Sequence, residues 1–163
     1  MTLVVPFDGS PLAKAALIRA ADFGRVLNDP LVVLSIIPQN NTQYARERGW
    51  LEPGEAFDID RITERLAEDI ETLAPSATFR YRVVDRYATA GTIAIKLRQM
   101  AQAADASMVF VGSENAGRIV TSLSSIGTNV AADNAYDVVI VRNRKPEKIE
   151  QRATATRATD PKA

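Results

Sequence analysis

Short apolar segments alternate with amphipathic ones along most of this chain, and this alternation strongly constrains the fold. The apolar segments have the length of strands, and the segments between them carry apolar residues at helical spacing. Strands separated by helices favour a parallel sheet with right-handed crossovers. The sequence therefore predicts an α/β fold, a doubly wound five-stranded parallel sheet of order 3-2-1-4-5 with helices on both faces. The strands are predicted at residues 2–6, 31–37, 78–84, 107–111 and 137–141.

Four helices are predicted between these strands. The first covers residues 12–26 and presents Phe23 on its apolar side, and the second is capped by Asp58 or Asp60. The third opens at Gly91, and the stripe Ile119, Leu123, Ile126 and Val130 marks the fourth. Residues 39–56 are polar and contain a Pro-Gly turn, so they are predicted to form a long loop. The strand at 78–84 alternates, which predicts one dry and one solvated face at a sheet edge.

Two strand tips carry the residues with the clearest functional pattern. The first strand leads into Asp8, and the segment Val109–Arg118 runs from an apolar strand through Gly112 and polar residues into a helix. Glycine lets a phosphate approach the backbone, and a helix start offers free N–H donors. The predicted strand order places these two tips side by side, where ligands of open α/β sheets bind. Two purely structural interpretations stay open, in which Asp8 only caps the first helix and Gly112-Ser113 is only a tight turn.

Composition excludes several classes of function. The chain contains neither cysteine nor histidine, so it has no disulfide, no thiolate or imidazole metal site and no Ser-His or Cys-His nucleophile pair. We therefore expect no catalytic residues, no metal and no enzyme activity. The sequence contains no run of 18 apolar residues and no signal-peptide pattern, so we expect a cytoplasmic protein without membrane insertion.

Charge is balanced over the chain but uneven along it. From residue 142 onward there are seven Lys or Arg and three Asp or Glu, so this end is basic and the rest is acidic. Its polar, aperiodic sequence predicts a disordered tail at residues 143–163 behind a single domain at residues 1–142. The scattered charges lack aromatic residues, so no nucleic-acid partner is expected.

Several motifs together resemble the universal stress protein family. They are Val-Pro-Phe-Asp-Gly-Ser at residues 5–10, Val-Leu-Ser-Ile at 33–36, Gly91 with the helix ending in Met100-Ala101, Gly112-Ser113, and the closing strand 138–141. The resemblance covers about residues 2–142 and implies the predicted fold. It also implies a role in stress adaptation and a nucleoside site, in which Asp8 meets adenine or ribose and the Ile36 backbone meets the adenine ring.

The phosphate-binding pattern of this family is degenerate here. Members that bind ATP carry glycine, two residues, glycine, nine residues, glycine, then serine or threonine. Gly112 supplies the first position and Asn115 replaces the second glycine. The third position falls on Ser124-Ser125 after removal of one residue, or on Gly127-Thr128 with a longer first spacing. We prefer Ser124-Ser125, because the other register would bury Asp133. The resemblance thus implies ATP or AMP as a weakly bound ligand, or another anion.

The family resemblance also implies a homodimer through the last strand, Val138, Val139, Ile140 and Val141. A continuous apolar edge needs cover, which a second copy or the folded tail would supply. A protein partner is expected as well. The main alternative function is a ligand-free homodimeric interaction domain with a vestigial nucleotide site. An adenylating enzyme or a flavoprotein subunit is disfavoured, since the chain lacks the Ser-Gly-Gly-x-Asp-Ser signature.

Overall fold

The computed structural model describes residues 1–116 and 136–142 of the chain. In the described residues, five parallel strands form one sheet in the order β3-β2-β1-β4-β5. This confirms the predicted fold class and strand order. The strands are β1 (Thr2–Pro6), β2 (Leu31–Pro38), β3 (Thr78–Val84), β4 (Ala106–Gly112) and β5 (Asp137–Val141), and the helices are α1 (Pro11–Leu27), α2 (Thr42–Glu47), α3 (Ile59–Leu73) and α4 (Ala90–Ala103).

The turn from β1 into α1 shows why this helix begins where it does. Gly9 has a φ of +78°, a left-handed conformation that favours glycine. The Ser10 side chain then accepts a hydrogen bond from the Ala13 N–H, and Pro11 occupies the first helical turn, where its missing N–H costs little. Asn28 ends the helix in the left-handed region. The chain therefore reverses tightly at the tip of β1.

The other two long helices are also capped as local sequence dictates. Asp58 caps α3, accepting hydrogen bonds from the N–H groups of Asp60 and Arg61, which settles the choice between the two predicted caps. Thr89 caps α4 by accepting from the Thr92 N–H, so this helix begins one residue before Gly91.

Helices cover both faces of the sheet. Alternate strand residues point to opposite sides, so Leu3 and Val5 pack with α1 and α3 while Val4 packs with α4. Every residue of β2 is buried, which agrees with its continuous apolar sequence. Central strands covered on both sides fix the positions of the tips of β1 and β2, where the candidate site lies.

Three predictions about the fold are wrong in detail. Residues 39–56 are not one loop, because α2 lies within them; Asn41 caps it, and a helix of six residues is too short to show a periodic pattern. Phe23 is 43% exposed, although its ring contacts Phe110. The expected dry face of β3 is largely open, with Tyr81 47% exposed, because an edge strand has fewer neighbours to cover it.

Some predictions fall outside the described residues. They concern Ser124 and Ser125, the alternative register at Gly127-Thr128, the fourth predicted helix and the tail at residues 143–163. The edge strand β5 is described, and its Ile140 is 43% exposed while Val141 is buried. Dimerisation through this strand stays a prediction.

Candidate functional site

A cleft lies at the carboxyl ends of β1 and β2, beside the point where the winding of the sheet reverses. It is partly open to solvent, and the space between its walls, counted with that open part, is about 580 Å³. Three of the predicted site residues line it, namely Asp8, Ile36 and Asn115. Apolar side chains of α4, including Ile93 and Leu97, form one wall. Residues far apart in sequence are thus brought together as the predicted topology requires.

Asp8 is held at the rim of this cleft by its backbone and by one carboxylate oxygen. Its Oδ1 accepts a hydrogen bond from the Ser10 N–H at 3.0 Å, and its carbonyl accepts one from the indole Nε1 of Trp50 at 2.8 Å. Ser10, rather than Asp8, caps α1. No ion pair to Asp8 occurs within residues 1–116 and 136–142. The half-buried carboxylate therefore has a fixed position and can still accept hydrogen bonds from a ligand.

Ile36 contributes to the floor of the cleft from β2. Its side chain is buried in the core layer that α4 covers, and its backbone is in register with Arg82 of β3. The neighbouring Ser35 is buried, and its hydroxyl donates to the carbonyl of Phe7. This bond joins the end of β2 to the end of β1, so the positions of Ile36 and Asp8 depend on each other.

Gly112 has a structural role that the sequence did not reveal. A Cβ at this position would lie 2.7 Å from the Cβ of Leu12 and 3.3 Å from the Leu12 carbonyl carbon. The first turn of α1 therefore packs directly against the backbone of β4. Gly112 is buried and does not line the cleft, and the chain becomes helical at once, over residues 113–116, instead of forming a polar loop. Of the predicted phosphate-end residues, Asn115 thus lines the cleft, Gly112 does not, and Ser124 and Ser125 are not described.

Among the lining residues that the sequence did not indicate are Tyr44 and Arg48. Both belong to α2 or its C-terminal cap, in the segment that was predicted to be a loop. The Arg48 Cζ lies 3.2 Å from the centroid of the Tyr44 ring. The signals that indicate an ordered segment were Asn41, a typical helix cap, and the apolar pair Trp50-Leu51, which is buried in the core.

A network of polar contacts holds the segment after α2 against α3. Arg65 donates to the Trp50 carbonyl at 2.7 Å and makes a two-pronged ion pair with Glu55 at 2.8 and 3.0 Å. The hydrogen bond from Arg65 is the main cause that lowers the pKa of Glu55, and the same bond raises the pKa of Arg65. Residues 50–55 are thereby tied to a long helix, which keeps Trp50 beneath Asp8.

Other features of the described residues do not compete with this cleft. A wider depression beside β3 and the start of α3 contains Gln39, Phe57 and Val83, but none of the predicted site residues. Residues 1–116 and 136–142 contain no group of acidic side chains that could hold a metal ion. None of their helices combines the length and apolar character needed to span a membrane.

Comparison with known proteins agrees with the fold described above. Residues 1–151 match the model of the universal stress protein family. A universal stress protein crystallised with cAMP is 25% identical, with a TM-score of 0.50 over 87% of this chain and 97% of the other. One from Archaeoglobus fulgidus is 18% identical, with a TM-score of 0.52 and coverages of 87% and 93%, and shows the fold alone. UspA from Lactobacillus plantarum is likewise 18% identical, with a TM-score of 0.50 and coverages of 87% and 97%. No curated protein matches the chain significantly.

Proposed function

Because the chain belongs to the universal stress protein family, we propose that it is a binding module of the stress response that holds an adenine nucleotide in this cleft. The observation that carries the proposal is the convergence of Asp8, Ile36 and Asn115 on one cleft at the sheet's switch point. The similar universal stress protein crystallised with cAMP supports a nucleotide as the ligand class.

The nucleoside end supplies most of the binding energy in this proposal. The Asp8 carboxylate accepts hydrogen bonds from the ribose hydroxyls, and the Ile36 backbone meets the edge of the adenine ring. Asn115 donates its side-chain amide to the phosphate end. Asn115 stands where the ATP-binding pattern of the family has its second glycine, so its side chain takes space in the cleft that a string of phosphates would need. We therefore expect a nucleoside monophosphate or cyclic monophosphate to bind better than ATP.

The proposal assigns the chain a binding role without catalysis. The sequence offers no histidine or cysteine, and within residues 1–116 and 136–142 the Asp8 carboxylate accepts its hydrogen bond from a backbone N–H rather than from a hydroxyl nucleophile. Ligand binding would instead act on protein contacts, in a cytoplasmic homodimer that uses the edge strand β5.

The first experiment is calorimetric titration of AMP, cAMP and ATP into the purified protein. We expect binding of the monophosphates, and loss of at least tenfold in affinity with Asp8→Ala, since hydrogen bonds to a charged acceptor contribute about 1.5–3 kcal/mol. Asp69→Ala is a matched control, because Asp69 is a partly exposed carboxylate of α3 that pairs with Lys14 and does not line the cleft. Absence of heat and of a thermal shift with all three nucleotides would refute the proposal.

A second candidate is a ligand-free homodimer with a vestigial site. The tight contact between Gly112 and Leu12 favours it, because packing alone explains why a glycine stands at this position. The exposed Ile140 on the edge strand favours it as well. Light scattering on the wild type and on Ile140→Lys distinguishes it. A dimer that Ile140→Lys dissociates, together with no nucleotide binding, is the expected result for this candidate.

A further inference from the structure

The wall of the cleft formed by α2 contains a stacked pair that the proposed function does not use. Arg48 places its guanidinium carbon 3.2 Å from the centre of the Tyr44 ring, and its Nη1 donates to the Tyr44 carbonyl at 3.4 Å. A guanidinium is planar, so a carbon this close to the ring centre indicates that one face of the group is covered by the tyrosine. Both side chains line the cleft and both are half-buried.

Arg48 has no carboxylate partner at ion-pair distance in residues 1–116 and 136–142. Other arginines of this region do have one, since Arg61 and Arg65 both pair with Glu55. An arginine that forms a salt bridge is positioned by it, whereas Arg48 is positioned by an aromatic ring at the edge of a cavity. Among the described residues its guanidinium donates one hydrogen bond, to the Tyr44 carbonyl, so its other N–H donors and the face away from the tyrosine ring can meet a molecule in the cleft that Arg48 lines.

The stacked pair of Tyr44 and Arg48 is held in place by contacts of the residues that precede and follow it in the chain. Before it, Asn41 caps α2 and also donates from Nδ2 to the Arg86 carbonyl at 2.9 Å. After it, Trp50 is 3% exposed, contacts the Tyr44 ring at 5.6 Å and donates to Asp8. Binding of a flat ligand to a fixed platform loses little side-chain freedom.

The part of the cleft lined by α4 is apolar. Ile93, Ala94 and Leu97 of α4 line it, and Leu34 and Ile36 of β2 lie at the floor. A cleft lined by both a cationic planar group and aliphatic side chains suits a flat heteroaromatic ring, because bases stack on arginine planes and bury their faces against apolar groups.

We propose that Arg48, supported by Tyr44, is the stacking platform for the purine base in this cleft, with the α4 side chains against the other face of the ring. This inference rests on the proposed function and adds a specificity residue to it. The alternative for a cationic side chain is pairing with the ligand's phosphate. Stacking fits better, because Arg48 stands on the β2 side with Ile36, whereas Asn115 marks the end of the cleft that follows β4.

The test compares one ligand with the base but no phosphate, one with both groups, and one with the phosphate but no base. Adenosine, AMP and ribose 5-phosphate are titrated into the wild type, Arg48→Ala and Arg48→Lys, with calorimetry and the fluorescence of Trp50, the single tryptophan of the chain, as readouts. We expect Arg48→Ala to weaken adenosine and AMP alike by about tenfold. Arg48→Lys should recover little of this, because it keeps the charge and loses the plane. Neither variant should change the affinity for ribose 5-phosphate.

Arg46→Ala is the matched control, since Arg46 is an exposed arginine of the same helix that does not line the cleft. Tyr44→Leu is a second variant that removes the support and should weaken adenosine binding in the same way. Circular dichroism verifies that each variant is folded.

The outcomes distinguish a stacking role of Arg48 from a phosphate-binding role, and they separate failure of this inference from failure of the proposed function. A loss confined to AMP and ribose 5-phosphate, restored by Arg48→Lys, would assign Arg48 to the phosphate and overturn the stacking role. Unchanged affinity of Arg48→Ala for adenosine would overturn it as well and leave the proposed function intact. If the wild type binds neither adenosine nor AMP, the proposed function and this inference both fail.

Discussion

On the β2 side of the cleft, a short helix and the segment after it present Tyr44 and Arg48 to the cavity, and several hydrogen bonds hold this wall in place. On the β4 side, Gly112 contacts Leu12 so closely that a methyl group would not fit, and a helical turn follows directly. The sequence pattern predicted a loop on the β2 side and a phosphate site on the β4 side.

This difference shows that the type of a residue does not by itself tell whether the residue binds a ligand or packs against another element. Glycine is required both where a ligand approaches the backbone and where a helix does, and the sequence signal is the same. Conversely, a segment without helical periodicity can be rigid when buried aromatic residues and hydrogen bonds to neighbouring elements fix it. Three predictions sharpen or break the comparison between the β2 side and the β4 side.

The largest effect is expected for Trp50 on the β2 side. Trp50→Ala should lower the free energy of unfolding by about 3–5 kcal/mol, because it removes a buried aromatic side chain and leaves a cavity. Trp50→Phe should cost about 1–3 kcal/mol, since the Asp8 carbonyl loses its hydrogen bond. Urea denaturation followed by far-UV circular dichroism measures both. Tyr87→Ala, at a highly exposed aromatic residue, is the control and should change little. A Trp50→Phe protein as stable as the wild type would mean that this bond does not anchor the wall.

The β4 side should respond to a single added methyl group. Gly112→Ala places a Cβ against the Cβ and carbonyl carbon of Leu12, neither of which can rotate away, so α1 must shift. We expect a loss of about 1–3 kcal/mol in the free energy of unfolding, which is the usual cost of overpacking.

Gly91→Ala is the matched control for this variant. A Cβ at Gly91 meets only the Thr89 hydroxyl oxygen at 3.8 Å among its near neighbours in the described part of the chain, and the residue lies in the first turn of α4. It should be neutral or stabilising by up to about 1 kcal/mol, because alanine reduces the freedom of the unfolded chain. Equal effects of the two substitutions would show that Gly112 is not needed for packing.

The smallest effect concerns the ion pair that ties the β2-side wall to α3. Arg65 lowers the pKa of Glu55 below its ordinary value of 4.5, so the folded protein binds this proton more weakly than the unfolded chain does. The stabilisation is present above pH 4.5 and is lost as the pH falls through the lowered pKa of the folded state.

Thermal denaturation of the wild type and of Glu55→Gln between about pH 7 and pH 3 measures this contribution. The melting temperature of the wild type should exceed that of Glu55→Gln at neutral pH, and the difference should shrink as the pH drops below 4.5. Glu71→Gln, at an exposed residue of α3, should leave the melting curve close to that of the wild type. A difference that stays constant across this range would show that the ion pair does not stabilise the wall.

Much of the fold could be predicted because it depends on local pattern. The continuous apolar sequence of β2 indicated a strand buried on both faces, and the apolar stripe of α3, including Ile62 and Leu66, indicated the helix face that packs on the sheet. Topological rules for parallel sheets left few strand orders, and we favoured 3-2-1-4-5 because it makes Asp8 and the end of β4 neighbours at the switch point.

The site was harder to predict for physical reasons. A helix of six residues contains fewer than two turns, so α2 shows no periodicity, and its order comes from Trp50 and Asn41 contacting residues elsewhere in the chain. The position of Phe23 shows the same limit, because helical spacing placed it on the apolar side while the neighbouring elements leave it 43% exposed.

The sequence by itself determined the class of fold, the family and the carboxylate at the tip of β1, because each of these follows from residues close together or from a repeated pattern. Only the tertiary structure decided that Gly112 serves the packing of α1 and that Arg48 and Tyr44 stand in the cleft with Asp8. Those roles depend on which surfaces meet when distant segments pack together, and contacts over such distances leave no periodic trace in the chain.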